Sequence, residues 1–173
     1  MGLYAEDRAW SDRLIDEVRT IVGPHLLKPT PFEMDCKQAA DLYVFTAKNM
    51  TIAARVRRHG YADRYPYEFT VRSERDSGAV TELSKILDGW GDWFFYGHAD
   101  AAATRIPRWW LIDLDVFRTA LLRHSRGRVQ MRFERRSNRD GTHFVSYDLR
   151  SFKPVLPNLV GSSHALPSEA RAV

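Results

Sequence analysis

Alternating apolar and polar residues mark two consecutive strands in the first half of the chain. In residues 51–58 the apolar side chains fall at every second position, and Arg55 and Arg57 lie on the opposite face. Residues 67–75 repeat the pattern, with apolar residues facing a core and Arg72 facing away. Because a short polar loop joins the two segments, the sequence favours an antiparallel hairpin here.

The other segments predict an α/β (α+β) domain, in which a central mixed sheet is flanked by helices in α-β-β-β-α-β order and followed by a C-terminal β-hairpin. In chain order, the pattern first predicts a helix over 10–21 that ends at Gly23 and Pro24, then a buried central strand over 41–45, then the two strands above. A helix that begins at 81 and ends at Gly89 follows, with strands over 92–98 and 108–115 after it. The last predicted elements are a helix capped by Asp115 and a hairpin that turns at 138–141. We expect one domain over 1–153. Residues 154–173 lose all periodicity, so a disordered tail is expected there.

Length and composition place the chain among ordinary globular proteins. Its 173 residues suit one domain, and 44% hydrophobic with 28% charged residues is typical of a domain with a packed core. The sequence contains no apolar run near the roughly 18 residues that a membrane span requires. The first residues are polar and acidic, unlike a secretory signal. We therefore expect a cytoplasmic protein with no membrane association.

The distribution of basic residues points to a polyanionic partner. The formal net charge is +4, and arginines are concentrated in 55–64 and 123–139. The guanidinium group matches the geometry of a phosphate, so these clusters favour binding to nucleic acid. The candidate residues for this contact are Arg55, Arg57, Arg58, Arg132, Arg135 and Arg136.

Several other chemistries lack a sequence signal. The six histidines show no spacing typical of a zinc site. The chain has no glycine-rich nucleotide loop and no serine in the context of a nucleophile elbow. A zinc enzyme, a P-loop enzyme and a serine hydrolase are therefore not indicated.

With Asp41 opening its first strand, the element order resembles the core of the PD-(D/E)XK nuclease-like fold over about residues 10–98. That family places an Asp and a Glu-x-Lys pair on central strands, where they bind magnesium and activate water against a phosphodiester. No strand here contains Glu-x-Lys. The run from Thr70 to Arg72 is similar to a variant in which the strand keeps a hydroxyl and a basic residue while the glutamate moves to the next helix, where Glu82 lies.

The resemblance implies a set of catalytic residues and a cofactor. Asp41 and Glu82 would hold Mg²⁺, and Lys85 or Arg72 would stabilise the charge that develops on the phosphate. From the residues alone, Glu82 and Lys85 can equally be an exposed helical pair, because they are three positions apart.

Three functions remain open from the sequence. The chain also looks like small uncharacterised proteins of bacteriophages and mobile elements, which favours either a nucleic-acid-binding protein on a nuclease-like scaffold or a non-enzymatic factor that binds a host protein of defence or replication. Alternatively, the arginines and the carboxylates between Glu68 and Glu82 form only an internal ion-pair network. Arginines outnumber carboxylates on this face, so the sequence favours binding over cleavage.

Overall fold

The chain contains both helices and antiparallel and parallel strands, which confirms the α+β class. The structure is a computed structural model that describes residues 3–29, 42–44, 51–152 and 159–163. Its helices are α1 (Leu3–Asp12), α2 (Ile15–Leu26), α3 (Tyr61–Arg64), α4 (Glu82–Leu87) and α5 (Leu114–Ser125), with a 3₁₀ turn at Leu149–Phe152. Its strands are β1 (Leu27–Pro29), β2 (Leu42–Val44), β3 (Ile52–Arg57), β4 (Glu68–Arg75), β5 (Trp93–His98), β6 (Arg108–Asp113), β7 (Phe133–Ser137), β8 (Thr142–Asp148) and β9 (Leu159–Ser162).

The strands are divided among separate sheets. One sheet has the order β3-β5-β6-β9, with β3 and β5 parallel and the other pairs antiparallel. A second, antiparallel sheet has the order β4-β8-β7, and β1 pairs with β2. The predicted hairpin of β3 and β4 is therefore wrong, because the two strands belong to different sheets. In the described residues β2 pairs with β1 alone, so the prediction that it is a central strand is also wrong.

The main core lies between the two larger sheets. Its packing explains why β4 belongs to a different sheet from β3. Phe69 and Val71 of β4 are completely buried, and they share one cluster with Phe94 and Tyr96 of β5. Phe117 of α5 closes the same cluster, with its ring centroid 5.4 Å from that of Phe69. These side chains share one core because β4 lies over β5, so burial overrides the local hairpin signal.

The second face of the four-stranded sheet is covered by helix. Phe95 points away from Phe94, as strand alternation requires, and packs with Leu14, Val18 and Val22. The sequence predicts one helix here, but the chain forms α1 and α2 with a break at residues 13–14. It also continues through Gly23 and Pro24, since the fixed φ of proline is itself helical.

Two further expectations are corrected and one is confirmed. The cap of α5 is Asp113, whose carboxylate accepts hydrogen bonds from the backbone N–H groups of Asp115 and Val116 at 2.8 and 3.1 Å. The expected disorder beyond residue 153 is wrong for β9, which pairs with β6. The C-terminal hairpin is confirmed as β7 and β8.

Within the described ranges, no helix is long and apolar enough to cross a bilayer.

Candidate functional site

The parallel pairing of β3 with β5 places two arginines inside the space between the sheets. Arg55 lies opposite Tyr96 and Arg57 lies opposite His98 in the strand register. Ile52 and the other apolar side chains of β3 pack on the helical side, so the arginines face the three-stranded sheet. The predicted separation of apolar and basic faces on β3 is therefore confirmed.

Arg55 is held by an ion pair that crosses from β3 to α4. Its Nη2 lies 2.7 Å from Oε2 of Glu82, and its Nη1 donates to the carbonyl of Thr70 at 3.3 Å. The same Oε2 accepts the backbone N–H of Arg72 at 3.1 Å. The Arg55 and Glu82 side chains are only 19% and 24% exposed. Glu82 therefore ties the start of α4 to both sheets.

The electrostatics of this cluster are unbalanced. Burial lowers the pKa of Arg55, the positive charges of Arg57 and Arg72 lower it further, and Glu82 opposes the shift. The Nε atoms of Arg57 and Arg72 are buried and have no hydrogen-bond partner within the residues that the structure describes. The charges of Arg57 and Arg72 therefore act on Arg55 in addition to that of its ion-pair partner Glu82. We call Arg55, Arg57 and Arg72 the arginine cluster.

The arginine cluster opens into a cavity of about 640 Å³ between α1, β3 and the β7–β8 hairpin. Arg58 and Trp10 stand at its α1 side, where Arg58 lies 5.0 Å above the Trp10 ring and pairs with Asp7 at 3.0 Å. Asp12 lines the same side. The acidic residues thus lie at the rim, and the excess of positive charge lies deeper, along β3.

A second cavity of about 390 Å³ adjoins the first and is rich in aromatic side chains. The two cavities share four lining residues, which are Arg57, Tyr61, Asn138 and Phe144. The smaller one is also lined by Tyr65, Tyr96, Thr70, Glu68, His98 and Arg136. We call this smaller space the aromatic cavity.

The walls of the aromatic cavity are held in place by polar contacts. The Thr70 hydroxyl lies 3.2 Å from the Tyr96 hydroxyl, which joins β4 to β5. Glu68 forms a two-point ion pair with Arg136 at 2.9 and 3.3 Å. Because Arg136 also lies 4.5 Å above the Tyr65 ring, this arginine is fixed on two sides.

His98 forms the floor of the aromatic cavity in a neutral state. It is 2% exposed, and burial together with the neighbouring charges of Arg108 and Arg57 lowers its pKa from 6.5 to about 4. At neutral pH it therefore adds no charge to the site.

The low pKa of His98 makes the stability of the protein dependent on pH. Between pH 6.5 and 4 the unfolded chain binds a proton at His98 that the folded chain does not, so the contribution of His98 to stability is constant above pH 6.5 and falls as the pH drops below it. By pH 5 we expect His98 to cost about 2 kcal/mol. Urea unfolding at pH 7.5 and pH 5 should show this extra loss in the wild type and not in His98→Phe. His59→Gln, at an exposed histidine, should behave as the wild type does, and an identical pH dependence in His98→Phe would contradict the assignment.

The residues proposed for a metal site are only partly brought together. Asp41 lies outside the described residues, so its pairing with Glu82 stays a prediction. Glu82 is engaged by Arg55 and by the backbone of Arg72, and Lys85 is exposed on α4. No group of three or more His, Cys, Asp or Glu side chains is suitably placed within the described ranges. The described residues therefore do not form a Mg²⁺ site by themselves.

The predicted nucleic-acid-binding arginines separate into two groups. Arg55, Arg57 and Arg58 line the larger cavity, and Arg136 lines the aromatic one. Arg132 and Arg135 belong to the outer hairpin and line neither cavity. Arg132 is paired with Asp148 at 3.3 Å, and Arg135 is exposed.

Sequence reasoning missed the aromatic cavity. Tyr61 and Tyr65 lie in the polar connection after β3, and Phe144 and Asn138 come from the distant hairpin. The aromatic content of the 59–66 loop was the available signal. It could not be interpreted without the position of β4, because only the packing of the sheets brings these residues together.

Comparison with protein-family models, with curated proteins and with solved structures finds no match for this chain.

Proposed function

We propose that the protein binds nucleic acid, with backbone phosphates held by the arginine cluster. The observation that supports this most strongly is the excess of positive charge beside β3, where Arg57 and Arg72 both act on Arg55, whose ion-pair partner is Glu82. A bound phosphate would offset the repulsion among these guanidinium groups and would accept hydrogen bonds from them.

The shape of the site favours a polymer over a small anion. The larger cavity, with a volume of about 640 Å³, is too large for a single phosphate to fill. Arg58, directly after β3, lines the same cavity as Arg55 and Arg57. The aromatic cavity adjoins it directly. Phosphate and aromatic contacts side by side are the usual combination in proteins that bind single strands.

Salt dependence tests this proposal. If three phosphates contact the cluster, the affinity should fall about 20- to 40-fold between about 50 and about 200 mM salt, because each contact releases counterions. Fluorescence anisotropy with labelled single- and double-stranded DNA and RNA measures it. Binding that is absent even at low salt would contradict the proposal.

Phosphodiester cleavage is a further proposal that depends on Asp41. The same nucleic acids, incubated with and without Mg²⁺, should be cut by the wild type and not by Asp41→Ala if Asp41 has the role that the nuclease-like resemblance implies. Binding without cleavage would leave the protein as a non-enzymatic nucleic-acid-binding factor.

Exposed apolar residues beside α4 support a second candidate, the binding of a host protein. Trp90 is 71% exposed and Leu87 is 56% exposed. Exposed aromatic residues are common anchors of protein interfaces. A host protein that co-purifies with the wild type, binds it directly when both are pure, and fails to bind Trp90→Ser would establish this function.

A further inference from the structure

We propose that the aromatic cavity receives one unpaired nucleobase, so that the protein selects single-stranded nucleic acid or a nucleotide over a duplex. The inference rests on the proposed function, since the phosphate attached to that base would lie at the arginine cluster. A pocket for a base would make the protein prefer unpaired bases over paired ones, which phosphate contacts alone do not provide.

The position of the cavity supports this pairing of base and phosphate. Arg57, Tyr61, Asn138 and Phe144 line both spaces, so these side chains form the border at which the two spaces adjoin. Arg57 can therefore contact a phosphate on one side while the base attached to it enters the other space.

Flat side chains form much of the cavity wall. The Arg57 guanidinium lies 4.4 Å from the centre of the Tyr61 ring, and Tyr65 stands 6.5 Å from Tyr61. Aromatic rings and guanidinium planes are the two kinds of surface on which proteins stack unpaired bases. The volume of about 390 Å³ lies in the range of pockets that enclose small ligands.

The cavity also offers groups that can hydrogen-bond to a base edge. The Asn138 side-chain amide carries both donors and an acceptor, and the Thr70 hydroxyl can act as either. His98 is neutral at this site. A base that is paired and stacked in a duplex presents neither its faces nor its pairing edge, so it cannot make these contacts.

Competition binding tests the inference at low salt. A labelled single-stranded oligonucleotide is displaced by the same unlabelled strand, by a blunt duplex of equal length, by an abasic strand and by a nucleoside monophosphate. We expect the natural strand to compete at least about tenfold better than the duplex or the abasic strand, which corresponds to one stacked base. Competition by the monophosphate would assign a free nucleotide as the ligand, and its failure would assign a polymer.

A pair of substitutions at Tyr61 locates the effect. Tyr61 is 43% exposed, so its replacement should not prevent folding. Tyr61→Ala should reduce the preference for the natural strand to less than about threefold, whereas Tyr61→Phe keeps the ring and should retain it. Leu122→Ala, at an exposed apolar residue of α5 that lines neither cavity, should change nothing.

The possible failures are distinguishable. Equal binding of natural strand, abasic strand and duplex would overturn the base pocket and leave the phosphate site intact. A preference that survives in Tyr61→Ala would also overturn it. No binding of any nucleic acid at low salt would overturn the proposed function and this inference together.

Discussion

Removal of both Arg57 and Arg72 is expected to lower the affinity for single-stranded nucleic acid by about 100-fold, or about tenfold for each charged contact. Both guanidinium groups repel the buried Arg55. The Arg57→Ala/Arg72→Ala variant should therefore fold at least as stably as the wild type, which separates loss of binding from loss of structure. Anisotropy titration measures the affinity, and the salt dependence of binding should fall by roughly two contacts.

A matched pair of arginines that lines neither cavity provides the control. Arg126 and Arg128 are exposed in the turn after α5, and their removal changes the net charge by the same amount. Arg126→Ala/Arg128→Ala should weaken binding by less than about threefold, because exposed charges beyond a Debye length are largely screened. Equal losses in the two double variants would show that binding depends on net charge and not on the arginine cluster.

Replacement of Glu82 by glutamine is expected to destabilise the protein by about 2–3 kcal/mol, since it leaves the buried charge of Arg55 without its partner. The side chains of this pair are 19% and 24% exposed, so the loss should be smaller than for a fully buried pair. Urea unfolding measures it. Glu74→Gln, at an exposed carboxylate of β4, should have little effect.

A double-mutant cycle distinguishes this structural role from a purely catalytic one. In the Arg55→Met background, Glu82→Gln should cost much less than it does alone, with a coupling of about 1–3 kcal/mol. If Glu82 served only to hold a metal ion, its replacement would leave stability in the absence of metal unchanged, and the cycle would show no coupling to Arg55.

The strands and helices were largely predictable, because period-two alternation is visible in a single sequence. The apolar and basic faces of β3 follow directly from the alternation of Ile52 and Val56 with Arg55 and Arg57. The division into sheets was not predictable. It depends on Phe69 of β4 packing against Phe94 of β5, and local sequence contains no signal for that contact.

The candidate site was predictable only in part, for a related reason. The arginines on one face of β3 were found from alternation. The pairing of Arg55 with Glu82 was among the alternatives and not the favoured one, because the Glu82 carboxylate was assigned to a metal. The third hypothesis, an internal ion-pair network, thus describes Arg55 with Glu82 and Arg136 with Glu68. It does not explain why Arg57 and Arg72 add positive charge beside Arg55, and the proposed binding of nucleic acid would account for that excess.

Photo-cross-linking with peptide mapping shows where on the protein a single strand lies. A single-stranded oligonucleotide that carries a photoreactive base is irradiated with the protein, and the attached peptides are identified by mass spectrometry. We expect cross-links in residues 51–65 and at Phe144, and their loss in Arg57→Ala/Arg72→Ala. Cross-links confined to Arg132 and Arg135 of the outer hairpin, or unchanged in that variant, would contradict the proposed site.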